Sequence, residues 1–260
     1  MKLLSLLSAA LLLAGCASGP RLDTSHPSVN YDSRAQFVIV HYTSANRENS
    51  LRLLTHGQVS SHYLVGDDNP ATLYKLVDES QRAWHAGESE WQGRTWLNSS
   101  SIGIEIVNPG FRDTPAGRVW YPYSEAQIQA LIVLLKDIVK RNHIEPRNVI
   151  GHSDIAPLRK QDPGPLFPWK RLAAEGLGMW PDEQAVARQQ QVYAYQLPSA
   201  SWFQQQLRYL GYTATPQTGE WDAGTQHTLA AFQMHFRPAR FDGVADAQSA
   251  AILQVLNRSK

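Results

Sequence analysis

Three short apolar runs, each carrying or leading into an ionisable residue, constrain this chain more than any other feature. Phe37-Val38-Ile39-Val40 runs into His41, and Val149-Ile150 runs into Gly151-His152. Between them Ser101–Asn108 alternates, with Ile102, Ile104 and Ile106 on one face of a strand and Gly103, Glu105 and Val107 on the other. A carboxylate thus emerges from an otherwise apolar strand. Ser61–Val65 and Thr72–Val77, separated by the turn formers Gly66–Pro70, read as a hairpin. Ser124-Glu125-Ala126-Gln127 has the capping-box pattern. It opens a run with Ile128, Leu131, Ile132, Leu135, Ile138 and Val139 at helical spacing, ending near Asn142. Strands interleaved with helices predict an α/β or α+β layer domain over residues 35–177.

No disulfide framework can staple this fold, because Cys16 is the single cysteine of 260 residues. Cys-rich zinc or iron–sulfur sites are excluded with it, so any metal must be held by nitrogen and oxygen. With 24 Lys+Arg against 23 Asp+Glu, the chain lacks the basic footprint of a nucleic-acid protein. Eight Trp and ten Tyr supply flat, amphipathic surface suited to sugars and stacked rings.

Residues 1–15 carry one cation, Lys2, then an apolar Leu/Ala run shorter than the ~20 residues a bilayer requires, and read as a signal peptide. Leu13-Ala14-Gly15-Cys16 resembles the bacterial lipobox, at which the cysteine is lipidated and becomes the mature N-terminus. That resemblance makes Cys16 an anchor to a membrane. Ala17, where an Asp would redirect sorting, implies the outer membrane, facing the periplasm. Residues 16–34, rich in Ser, Gly, Pro, Asp and Asn, read as a tether.

Past Trp180 the sequence turns polar, and Gln189-Gln190-Gln191 and Pro198 suggest a linker over residues 178–197. Residues 198–260 contain a repeat: Gly219-x-x-Asp222-Ala223-x-Thr225-x-x-x-Leu229 recurs 24 positions later as Gly243-x-x-Asp246-Ala247-x-Ser249-x-x-x-Leu253. Helices near 200–210, 223–235 and 246–257 are expected, forming a small all-α module better suited to binding than to chemistry.

His41 and His152 each end an apolar strand, and Asp162 lies in a proline-stiffened loop, Lys160-Gln161-Asp162-Pro163-Gly164-Pro165. Two imidazoles and one carboxylate suit a zinc ion with an open position for water, although spacing alone does not establish the trio. Phe37–Ser44, Ser61–Val65, Trp84–Gly87, Ser101–Asn108, Gly151–Ile155 and Lys160–Pro165 together resemble, in order, the type-2 zinc-dependent N-acetylmuramoyl-L-alanine amidases of the AmpD/AmiD-like family. The resemblance implies a mixed central sheet flanked by helices, Zn2+ as cofactor, and His41, His152 and Asp162 as its ligands. It also implies hydrolysis of the amide joining N-acetylmuramic acid, or its anhydro form, to L-alanine in peptidoglycan and muropeptides. Glu105 is then the general base, in apolar surroundings that raise a carboxylate pKa. Lys160 is placed to meet the developing oxyanion.

Trp84 and His85 are candidates to line the substrate groove, and Arg94 to pair with a stem-peptide carboxylate. His56, His62 and, as the alternative to a groove role, His85 read as structural, and His26, His143, His227 and His235 as surface or capping residues. The second unit resembles the three-helix peptidoglycan-binding domain through Phe203-Gln204-x-x-Leu207-x-x-Leu210-Gly211-Tyr212, Gly219-x-x-Asp222-x-x-Thr225 and Ala231-Phe232-Gln233. It departs where Ser249 replaces the usual Thr. Two other readings stay open at this stage: a non-catalytic peptidoglycan recognition lipoprotein, and a zinc peptidase acting near the cross-links.

Overall fold

The computed structural model describes residues 19–258. The expected signal peptide, residues 1–15, and the lipidation residue Cys16 lie outside the described residues. Residues 19–32 are exposed and form neither helix nor strand; a separate compact unit begins at Ser33.

At the centre of that unit is a five-stranded sheet in the order β3-β2-β6-β1-β9. Its strands are β1 (Phe37–Tyr42), β2 (Tyr63–Val65), β3 (Leu73–Lys75), β6 (Ser101–Ile106) and β9 (Val149–Gly151). β1 runs parallel to both β6 and β9, β2 runs parallel to β6, and β3 turns back antiparallel as the expected hairpin. The sheet is therefore mixed. Two small hairpins, β4 (Glu90–Trp91) with β5 (Arg94–Thr95) and β7 (Phe111–Thr114) with β8 (Gly117–Trp120), stand apart from it.

Alternation along the strands decides which helices cover which face. Val38, Val40, Ile102, Ile104 and Ile106 form one core with Ile128, Leu131, Leu135 and Ile138 of α2 (Glu125–Asn142). The Ser124 side chain accepts from the Gln127 N–H, the Gln127 side chain accepts from the Ser124 N–H, and His143 closes the helix with a left-handed backbone. α1 (Arg47–His56) buries Leu54 against Leu64 and Val107.

The opposite face of β1 belongs to a second core. There Phe37, Ile39 and Ile150 join Phe203 and Leu207 of α6 (Ala200–Leu210), Phe232 of α7 (Ala223–Phe236) and Leu253 of α8 (Ala247–Arg258). The C-terminal helices thus complete the sheet sandwich. Their repeat is realised by two buried glutamines. Gln204 accepts from the Gly219 N–H and donates to Thr225 Oγ1; Gln233 accepts from the Gly243 N–H and donates to Ser249 Oγ. Ser249 therefore keeps the bond that a Thr would make.

Residues 178–197, expected as a linker, instead contain α5 (Glu183–Tyr195). Asp182 caps it by accepting the Ala185 N–H, while Val186, Ala185 and Tyr193 pack into the core shared with α8. Its polar composition reflects the single narrow stripe it buries. Between the sheet and this module lie two short helices, α3 (His152–Ile155) and α4 (Trp169–Ala174).

Candidate active site

Parallel register places the chemistry at the carboxyl ends of the central strands. His41 lies opposite Glu105 across the β1–β6 pair, so both project from the sheet face that α2 does not cover. β9 ends at Gly151, and His152 opens α3 directly after it. Asp162 joins them from its loop, whose backbone is tied to α3 by the Ser153 N–H donating to the Asp162 carbonyl at 2.8 Å.

His41, His152 and Asp162 are all buried and converge on one point. The two Nδ1 atoms stand 2.9 Å apart, and each is 3.0 Å from Asp162 Oδ2. The surrounding hydrogen bonds assign where the imidazole protons sit. Ser101 Oγ donates to the Leu97 carbonyl, so it accepts from His85 Nε2. His85 Nδ1 then accepts from His41 Nε2 at 3.1 Å, leaving His41 Nδ1 without a proton. His152 donates through Nε2 to the Ala86 carbonyl at 3.1 Å, which frees its Nδ1 likewise. Three lone pairs thus face one another with no hydrogen between them, an arrangement that repels unless a cation lies among them.

Electrostatics agree. Burial, reinforced by His152, lowers the His41 pKa to about 4, so it is neutral and available as a ligand. Burial alone would raise the Asp162 pKa, but His152 and His41 outweigh it and hold the carboxyl well below the usual carboxylate range. Glu105 moves the other way. Burial, then the Asp162 charge, push it up to about 8, partly offset by Lys160. Its Oε2 is buried without a hydrogen-bond partner among the described residues.

Lys160 is half-buried, and its charge reaches both His41 and Glu105. Trp84 is exposed. Arg94 is exposed on β5, whose hairpin docks on the helical module through the Gln92 N–H to the Gly211 carbonyl. His85 is buried behind His41 with both ring nitrogens engaged. Gly103 leaves room for it, since a Cβ there would stand 2.4 Å from the His85 ring.

Sequence reasoning did not single out three further residues. Arg159 donates to the carbonyls of Ala86 and Glu88, fixing the segment that His152 bonds. Tyr123 donates to the Pro163 carbonyl at 2.7 Å, next to Asp162. Asp154, two residues after His152, is buried among donors from the C-terminal helices. Short spacing from His152 or Asp162 could have flagged Asp154 and Arg159, whereas Tyr123, 40 positions from Pro163, carries no such signal.

A buried two-histidine, one-carboxylate group beside a second carboxylate of raised pKa defines a metal-dependent hydrolase site. Residues 31–165 match the family described as N-acetylmuramoyl-L-alanine amidase, and residues 196–253 match a peptidoglycan binding domain. The chain is 44% identical to N-acetylmuramoyl-L-alanine amidase AmiD of Escherichia coli K12, over 96% of this chain and 95% of that protein. Among solved structures, AmiD from E. coli in complex with anhydro-N-acetylmuramic acid-L-Ala-D-γ-Glu-L-Lys superposes with a TM-score of 0.82 at 42% identity, covering 93% of this chain and 95% of that one. AmpDh3 from Pseudomonas aeruginosa in complex with an anhydromuramic pentapeptide gives 0.84 at 40% identity, covering 93% and 98%. This chain belongs to the zinc-dependent N-acetylmuramoyl-L-alanine amidase family.

Proposed function

We propose that the protein hydrolyses the amide between N-acetylmuramic acid, or its anhydro form, and L-alanine in peptidoglycan and its released muropeptides, serving wall turnover and recycling. The convergence of His41 Nδ1, His152 Nδ1 and Asp162 Oδ2 beside Glu105 carries this reading. His41, His152 and Asp162 would hold the zinc through Nδ1, Nδ1 and Oδ2. When bound, the ion would polarise the scissile carbonyl, acidify the attacking water and favour the charged form of Glu105. Glu105 accepts the proton that the water releases as its oxygen bonds to the carbonyl carbon. As the C–N bond breaks, Glu105 returns that proton to the departing nitrogen, leaving a lactyl carboxylate and a free L-alanine amine. Lys160 faces the negative charge that develops on the carbonyl oxygen. His85 orients His41, while Trp84 and Arg94 remain the proposed contacts to sugar and stem peptide.

The motif Leu13-Ala14-Gly15-Cys16 supports lipid attachment at Cys16 and an outer-membrane, periplasm-facing location. Two measurements test the proposal. Mass spectrometry of sacculi and of anhydro-muropeptides treated with the protein should show intact stem peptides with a free L-alanine amine; peptides cut internally would instead indicate a peptidase. Metabolic labelling with a palmitate analogue should mark the native chain and not Cys16→Ser, and label on both would exclude Cys16 as the anchor.

A further inference from the structure

Asp154 is nearly fully buried and lies two residues after the ligand His152, yet neither of its oxygens faces the metal group. Oδ1 accepts from the Tyr212 hydroxyl at 2.5 Å; Oδ2 accepts from His235 Nδ1 and from the Gly151 N–H, each at 2.8 Å. Tyr212 and His235 are contributed by the C-terminal module, 58 and 81 positions further along the chain. Neither can easily turn away. Tyr212 is buried edge-on against Trp91, with ring centroids 4.8 Å apart. His235 is sandwiched between Trp169 and Phe236, each ring centroid 4.0 Å away and within 15° of parallel.

The turn that Asp154 belongs to cannot hold itself. α3 has four residues, and its own closing bond is the Ala156 N–H to the His152 carbonyl. Yet it carries much of the centre: His152 supplies one ligand atom, and Ser153 fixes the backbone of a second, Asp162. Gly151 admits no substitute for tighter packing here, because a Cβ would stand 2.7 Å from Pro163.

We infer that Tyr212 and His235 are positioning residues of the amidase reaction: through Asp154 they fix the turn bearing His152, making the helical module part of the support of the metal centre. The inference rests on the metal-site reading above. A metal site is sensitive to such support, and loss of an outer partner typically costs 10–100-fold in metal affinity or activity.

The test uses the full chain and a soluble anhydro-muropeptide, so that wall binding plays no part. Tyr212→Phe and the double variant Tyr212→Phe/His235→Leu are compared with native protein for the rate of zinc loss to a chromophoric chelator, and for kcat and KM. Zinc loss should be about 10-fold faster or more in the double variant, with kcat reduced and KM little changed. Tyr212→Phe, nearly isosteric, should show a smaller shift of the same sign. His235→Asn, which can present an amide N–H where Nδ1 stands, should recover most of the loss. Gln204→Leu, which damages the same module away from Asp154, should leave zinc loss at the native rate. Unchanged zinc release in a folded double variant would overturn the coupling, and so would equal acceleration in Gln204→Leu. A native chain that binds no zinc would instead overturn the metal-site reading itself.

Discussion

The His41–His152–Asp162 cluster and the Tyr212–His235–Asp154 cluster are both buried, and both set a carboxylate against imidazole nitrogen. In the second, each carboxylate oxygen meets a donor, from Tyr212, His235 and the Gly151 backbone. In the first, the imidazole protons are engaged on the far side by His85 and the Ala86 carbonyl, so lone pairs face inward. The difference lies in where the protons go rather than in which residue types are present. A satisfied carboxylate fastens two parts of a fold, and a converging set of bare acceptors awaits a cation.

Removing the carboxylate of the inward-facing cluster is the severest way to break this contrast. Asp162→Ala should lose stoichiometric zinc by elemental analysis and drop to background turnover. Glu105→Gln should retain zinc and lose roughly 10²–10⁴-fold in kcat, because only proton transfer is removed; full activity in this variant would exclude Glu105 as the base. Gly103→Ala sharpens the role of the Ser101–His85–His41 hydrogen-bond chain without touching a ligand. Its methyl collides with His85, and should weaken zinc binding ~10–100-fold with a stability loss of about 1–3 kcal/mol by thermal unfolding.

The smallest effect concerns another carboxylate, half-buried and remote from chemistry. Glu79 accepts from Arg141, Asn142 and Tyr63, which together outweigh burial and lower its pKa. A lowered folded pKa contributes stability that is fully present above the unfolded value of about 4.3 and lost as pH falls through the folded one. Glu79→Gln should therefore flatten the acid side of the stability profile below about pH 4 while changing stability at neutral pH by only ~1 kcal/mol. An unaltered acid limb would show that this network adds nothing measurable.

Much of the sandwich was legible where a local rule acts alone. β6 follows from strict alternation, α2 from its capping box, and α7 and α8 from repeated Gly and Asp signals. α5 was not, because a helix burying one narrow stripe reads as polar linker. His41, Glu105, His152 and Asp162 could be picked from their positions at strand ends and in a stiffened loop; their convergence could not, since it depends on parallel register over more than a hundred residues. His235 was expected in a surface or capping role. Its partners Trp169 and Asp154 lie 66 and 81 positions upstream, and no local pattern records such a pairing.

The helix α5, with the core it shares with α8, has a bearing on how such an enzyme meets a polymer. A catalytic head swinging on a loose arm could sample many cutting points around each place where its binding module rests. Here the two share one packed interior, so the distance and angle between the catalytic site and the helical module are set like the jaws of a caliper. The spacing of cuts along a sacculus would then carry the dimensions of the protein.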